Sequence, residues 1–167
     1  TVPSYIQTKN LELDIGSFIS EQNIRSLLKV AVLGPITRDD LFGENSNPVG
    51  QKIRINRVDF TIIGITQTKG GTGWGSQDDI IFIPLSTAQR FLSGDDYVST
   101  INIRVRDEEF MSTVEEQITN LLLIRHNIAD PQMADFSIMN QADILEAMTE
   151  VTNTFTIFLG AIAGISL

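Results

Sequence analysis

The chain has 167 residues, 42% of them hydrophobic and 20% charged, which suits a folded domain with its own core and is too apolar for disorder. Twelve basic against 21 acidic side chains give a net charge of −9. With no Lys/Arg cluster, the chain lacks the cationic footprint that nucleic-acid binding requires. The absence of cysteine excludes disulfides, thiol catalysis and thiolate-bound zinc.

Residues 5–15 are mixed, with a short alternation at Leu11, Leu13 and Ile15 that Gly16 closes. Ser20 reads as the cap of a short helix with Asn23 in its first turn. Lys29–Leu33 is an apolar run stopped by Gly34 and Pro35, hence a strand. Thr37 is expected to cap a helix through Asp39, Asp40 and Phe42, ended by Gly43. Residues 44–50 are loop chemistry. Residues 52–65 predict a hairpin: Ile53 and Ile55 alternate with basic residues, Asn56 and Arg57 sit at the turn, and Val58, Phe60 and Ile62 alternate until Gly64 perturbs the pattern. Residues 66–79 form a long glycine-rich loop. Ile80–Ile83 is a strand stopped by Pro84, and Ser86 reads as the cap of a helix ending near Gly94. Thr100–Val105 predicts a strand with Ile101, Ile103 and Val105 on one face. A helix from Asp107 or Ser112 to Arg125 follows, its Val114, Ile118, Leu121, Leu122 and Ile124 at helical spacing. Asp135–Met139 is a further short strand. Asn140 or Asp143 starts a helix through Met148 and Val151 into the C-terminal apolar run. Residues 98–139 thus read as a β-α-β unit and 30–97 as a strand-rich block, and the fold class is a two-lobed α+β protein.

Four groups of residues invite a functional reading. Asp78-Asp79 and Asp95-Asp96 are carboxylate pairs that could hold a hard divalent cation. Neither pair has the alternating acid spacing of a calcium loop, and adjacent side chains on extended backbone point apart; loop acids are the preferred reading. Lys69–Gly75 (KGGTGWG) superficially suggests a phosphate cradle, but its lysine precedes the glycines and a strand follows, whereas a phosphate loop leads through Lys-Ser/Thr into a helix. Trp74, the only tryptophan, either anchors a partner or folds back over the core. The loop with Lys69, Trp74 and Gln77 is the candidate partner contact. His126, the only histidine, ends a helix, where its cation would meet the carbonyl dipole; one histidine makes neither a typical zinc site nor a triad. Arg104 and Arg106 read as a solvated strand face. No catalytic, metal or cofactor residue is assigned.

From Phe155 to Leu167 the sequence FTIFLGAIAGISL carries no charge, yet it is shorter than the roughly 20 apolar residues of a bilayer span. It reads as the stump of a transmembrane helix, with a buried C-terminal helix as the alternative. The start at Thr1, without a leader pattern, reads as an internal piece of a longer protein.

Several ordered blocks resemble the MacB-like ABC transporter permease family. They are NPVGQKIRIN (Asn47–Asn56), FTIIGI (Phe60–Ile65), QDDIIFIPLSTAQRFL (Gln77–Leu92), YVSTINIRVRD (Tyr97–Asp107), LLLIRHNI (Leu121–Ile128) and DFSIMNQADILEAM (Asp135–Met148). LGAIAGISL (Leu159–Leu167) is similar to the start of that family's second transmembrane helix. The first such helix and part of the extracytoplasmic region would precede Thr1.

The resemblance implies a non-catalytic extracytoplasmic domain in the cytoplasmic membrane of a prokaryote, within a permease that works as a homodimer. A fused or separate ABC ATPase would drive it, and a periplasmic adaptor or the exported substrate would receive the motion. Residues 1–29 and 98–147 would form a membrane-near β-α-β lobe, 30–97 a distal inserted lobe, and 148–167 the start of a transmembrane helix. Two alternatives stand beside it. One is a permease-like activator of a cell-wall hydrolase that transports nothing. The other is a soluble hydrolase or metal enzyme using Asp78, Asp79, Asp95 or Asp96.

Overall fold

The computed structural model describes residues 1–70 and 78–165, in two compact units, Thr1–Arg104 and Val105–Leu167. The first unit is built on a five-stranded sheet: β1 (Leu13–Gly16), β2 (Val30–Leu33), β3 (Lys52–Ile55), β4 (Val58–Thr66) and β5 (Ile81–Phe82). The order is β1-β4-β2-β5, and β3 also pairs with β4. Only β2 and β4 run parallel; the other pairs are antiparallel. The predicted hairpin forms with Arg54 opposite Asp59, and its turn residues Asn56 and Arg57 have φ of 46° and 69°, the left-handed pair that a tight two-residue hairpin turn needs.

Buried side chains lie on both faces of the central strand β2. Phe60, Ile62 and Ile65 pack on the side of Ala31 and Leu33, and all five are fully buried. The step from 60 to 62 is two residues and from 62 to 65 three, because β4 bulges against β2 where Ala31 gives way to Val32. An extra residue in one strand shifts its later side chains to the other face, so the bulge is what makes Gly64 break the sequence alternation. Val32 and Phe82 lie opposite each other and join Leu11, Phe18 and Ile19 in a cluster flanked by Tyr5, Ile6, Leu13, Ile24, Ile63 and Ile80.

Short helices surround the sheet: α1 (Tyr5–Thr8), α2 (Glu21–Arg25), α3 (Pro35–Phe42) and α4 (Leu85–Ala88). Ser20 caps α2 as expected, in a reciprocal box: Asn23 N–H donates to Ser20 Oγ at 3.3 Å, and Ser20 N–H to Asn23 Oδ1 at 2.8 Å. Two other expected caps are corrected. Helix α3 begins at Pro35 with Gly34 as its cap, since the fixed φ of proline suits the first helical position. Thr37 lies inside it and donates to Asp79 Oδ1 at 3.0 Å. Helix α4 begins at Leu85 after Pro84, and Ser86 Oγ instead donates to the Ile24 carbonyl at 2.6 Å. A π-helical turn, Gln89–Ser93, follows α4 and ends at left-handed Gly94.

The second unit holds α5 (Met111–His126), preceded by a short 3-10 turn at Glu108–Phe110, and α6 (Gln141–Ile165). Asn127 closes α5 in the left-handed conformation, and Ile128 N–H donates to the Leu123 carbonyl at 2.9 Å. Leu123 is the buried residue of α5, whereas Leu121 and Ile124, expected on its apolar face, are exposed. Four consecutive apolar residues, 121–124, leave periodicity unable to select the face. Helix α6 continues into the apolar tail as expected. Its described side chains Phe155, Ile157, Phe158 and Leu159 are exposed. Among the described residues no helix is long and apolar enough to cross a membrane.

The expected strands Thr100–Val105 and Asp135–Met139 are absent. Alternation marks which side chains share a face, but a strand also needs a neighbour to complete its hydrogen bonds, and Ile101 and Ile103 stand exposed. β1 pairs with β4, so Leu13–Gly16 belongs to the same sheet as the strands of 30–97.

Candidate functional site

The glycine-rich loop leaves the sheet after β4 and returns to it before β5. Trp74 and Gln77 lie outside the described residues, but the base of the loop is well defined. Asp78 is only 3% exposed. Its Oδ1 accepts from Lys69 N–H and its Oδ2 from Gly70 N–H, both at 2.9 Å. Its carbonyl accepts from Ile36 N–H at 3.0 Å. A charged acceptor satisfied by backbone donors makes a strong hydrogen bond, so Asp78 clasps the two ends of the loop and ties them to α3. Lys69 is engaged as well, its Nζ donating to the Lys9 carbonyl.

Hydrogen bonds engage both members of the acidic pair. Both Asp78 oxygens serve the backbone, and Asp79, which is exposed, accepts from Thr37. Asp95 accepts from Tyr97 N–H at 3.3 Å, a local turn contact. Among the described residues no three His, Cys, Asp or Glu side chains converge. Sequence reasoning treated Asp78 as one loop acid among several. The available signal was its position, an aspartate at the junction of loop and strand, where its side chain can bond nearby backbone.

Asp78→Ala is expected to cost about 1–3 kcal/mol, because the hydrogen bonds from the Lys69 and Gly70 N–H groups to a charged acceptor are lost. Asp79→Ala, which releases one hydroxyl, should cost less. Urea unfolding of both variants checks this, and equal losses would contradict the clasp.

His126 sits at the end of α5, as expected. Its Nδ1 lies 2.7 Å from Asp135 Oδ1, and its ring meets Phe136 edge-on at 6.0 Å. These contacts hold the 135–136 segment to the end of the helix. Arg104 donates to the Gln7 carbonyl at 3.1 Å, a stabilising contact within the first unit.

The charged side chains of the hairpin form a second feature. Arg54 Nε donates to Asp59 Oδ1 at 2.7 Å. That hydrogen bond holds the Asp59 carboxyl below the usual carboxylate range, and the charges of Lys52 and Lys29 act in the same direction. Lys29 Nζ also lies 4.4 Å above the Phe91 ring, within cation–π distance.

Comparison with known proteins places this fold. The family of MacB-like periplasmic core domains matches residues 1–121. The macrolide export ATP-binding/permease protein MacB of Bdellovibrio bacteriovorus is 37% identical over 99% of the chain, and that of Marinobacter nauticus 38% over 91%. The chain spans about a quarter of the length of these relatives, 25% and 23%. The periplasmic region of MacB from Actinobacillus actinomycetemcomitans shares the fold at a TM-score of 0.74, with 24% identity, over 89% of this chain and 63% of that one. The extracellular domain of the noncanonic ABC-type transporter YknZ from Gram-positive bacteria shares it at 0.63, with 15% identity, over 75% and 62%. With the family matched across most of its length, the chain belongs to the MacB-like periplasmic core domain family.

Proposed function

We propose that this chain is the extracytoplasmic domain of an ABC transporter permease subunit, which passes ATP-driven motion across the membrane to an adaptor or to an exported substrate. The family match over residues 1–121 carries this reading. The names of the relatives support an ATP-binding component on the same or an associated chain. The work proposed here is mechanical and needs no bond chemistry from this domain. A sheet whose central strand is buried on both faces deforms little there, because close-packed interiors transmit displacement. The exposed apolar side chains of α6 are consistent with a helix that continues into the bilayer, where such a surface is solvated by lipid. Homodimerisation of the permease and the 69–79 loop as a partner contact belong to the same proposal.

The test is cross-linking and pull-down of the full-length protein from native membranes, beside a Trp74→Ala variant. Recovery of an ATPase with an adaptor, weakened by the variant, is expected. An ATPase recovered with a cell-wall hydrolase would instead support the activator reading. A protein found in the soluble fraction without an ATPase would refute both.

A further inference from the structure

On a chain of net charge −9, one corner is positive. Lys52 and Arg54 alternate outward on β3, Arg57 occupies the hairpin turn, and Lys29 precedes β2; all four are exposed. Asp59 is the carboxylate opposite Arg54, and the charges of both Lys52 and Lys29 reach it. Arg54, Lys52 and Lys29 therefore all act on one acid, which Arg54 already holds, and Arg57 sits at the adjoining turn. The Lys29 carbonyl accepts from Thr61 N–H at 2.9 Å, and Thr61 lies opposite Lys52, so the strand start and the hairpin form one surface.

An apolar element adjoins these cations. Phe91, 41% exposed, lies under Lys29 Nζ. Leu28, 40% exposed, precedes Lys29, and its carbonyl accepts from the Thr87 hydroxyl at 2.9 Å. A headgroup or a free anion needs only the cations. A half-exposed ring and a leucine edged by arginine and lysine match the composition of protein interfaces, where aromatic anchors sit within a charged rim.

We propose that the outer face of the β3–β4 hairpin, together with Lys29, Leu28 and Phe91, docks an acidic face of a partner protein. The partner is specified by charge complementarity: its acids would meet Lys29, Lys52 and Arg57, and an apolar side chain would cover Phe91. This deepens the transporter reading and rests on it for the location of the partner outside the membrane.

The test introduces p-benzoylphenylalanine at position 57 of the full-length protein in its own membranes, with mass spectrometry of the captured peptides. The expected capture is an acidic segment of a different protein. Its yield should fall about tenfold between roughly 50 and 500 mM salt, as exposed charge pairs are screened. Lys52→Glu should reduce capture to background with an unchanged chymotryptic pattern, and Lys52→Arg should retain it. Capture of phospholipid only, of a second copy of the chain, or of a segment without acids would overturn the proposal. So would a yield indifferent to salt and to Lys52→Glu. Co-purification of an ATPase from the same membranes reports separately on the transporter reading. An ATPase without the acidic cross-link refutes the docking surface alone, and the cross-link without an ATPase refutes the transporter reading alone.

Discussion

Gly16→Ala is expected to cost at least roughly 4 kcal/mol, at the extreme for one substitution and comparable to the whole stability of a modest domain. Gly16 ends β1 with φ +81°, opposite Gly64. A left-handed conformation costs an L-residue about 1–2 kcal/mol. The steric contribution is larger. A Cβ at position 16 would fall onto the Ile63 carbonyl oxygen and within 2.8 Å of the Gly64 Cα. Both obstacles are backbone, so no side chain can swing away. Separating the strands would break the bond from Ser17 N–H to that carbonyl, 2.9 Å long. Gly50 is the control: its φ is +90°, and an added Cβ would meet nothing within 4 Å, so Gly50→Ala should show the conformational cost alone. Circular dichroism melts of both variants make the comparison. Equal losses would mean that β1 and β4 do not approach this closely.

Phe60→Ala follows, at about 3–5 kcal/mol. Phe60 is fully buried on the face it shares with Ile62, Ile65, Ala31 and Leu33. The cost has two parts, lost transfer free energy of the ring and an unfilled cavity, because neighbours fixed on β2 and β4 relax little. Phe60→Leu refills most of the volume and should recover more than half of the loss. Chemical denaturation of the two variants separates these parts. A leucine variant as unstable as the alanine variant would point to ring-specific packing instead.

The hairpin, β2, and the caps at Ser20 and Gly43 were legible in the sequence because each depends on local chemistry: alternation, a hydroxyl three residues before its donor, or a glycine at a helix end. Thr37 and Ser86 were misread for the same reason. Both hydroxyls are good local caps, but each is used across the fold, by Asp79 and by the Ile24 carbonyl, and proline set the helix starts. The strands expected at 100–105 and 135–139 show another limit. Alternation at Ile101, Ile103 and Val105 records a preference for one face, and pairing depends on residues elsewhere. Of the candidate site, the loop was evident from its glycines, whereas the clasp was not, since Asp79 shares the junction with Asp78 and only the fold decides which carboxylate turns to the loop backbone. The positive corner was also hidden, because Lys29 and Phe91 reach the hairpin only through the parallel β2–β4 pairing and the packing of α4.

The position of β4 carries a consequence for how the chain acquires this shape. Its first half pairs with β3 across a two-residue turn, but Thr61 must find Val30, and Thr66 must find Leu13. A hairpin closes in about 1–10 μs, and pairings over longer separations are slower because loop entropy is lost before contacts compensate it. The pairings along this one strand are therefore expected to form in order of sequence separation: the hairpin first, the parallel pairing with β2 next, and the pairing with β1 last. During synthesis β1 therefore stays without its sheet partner until β4 has emerged.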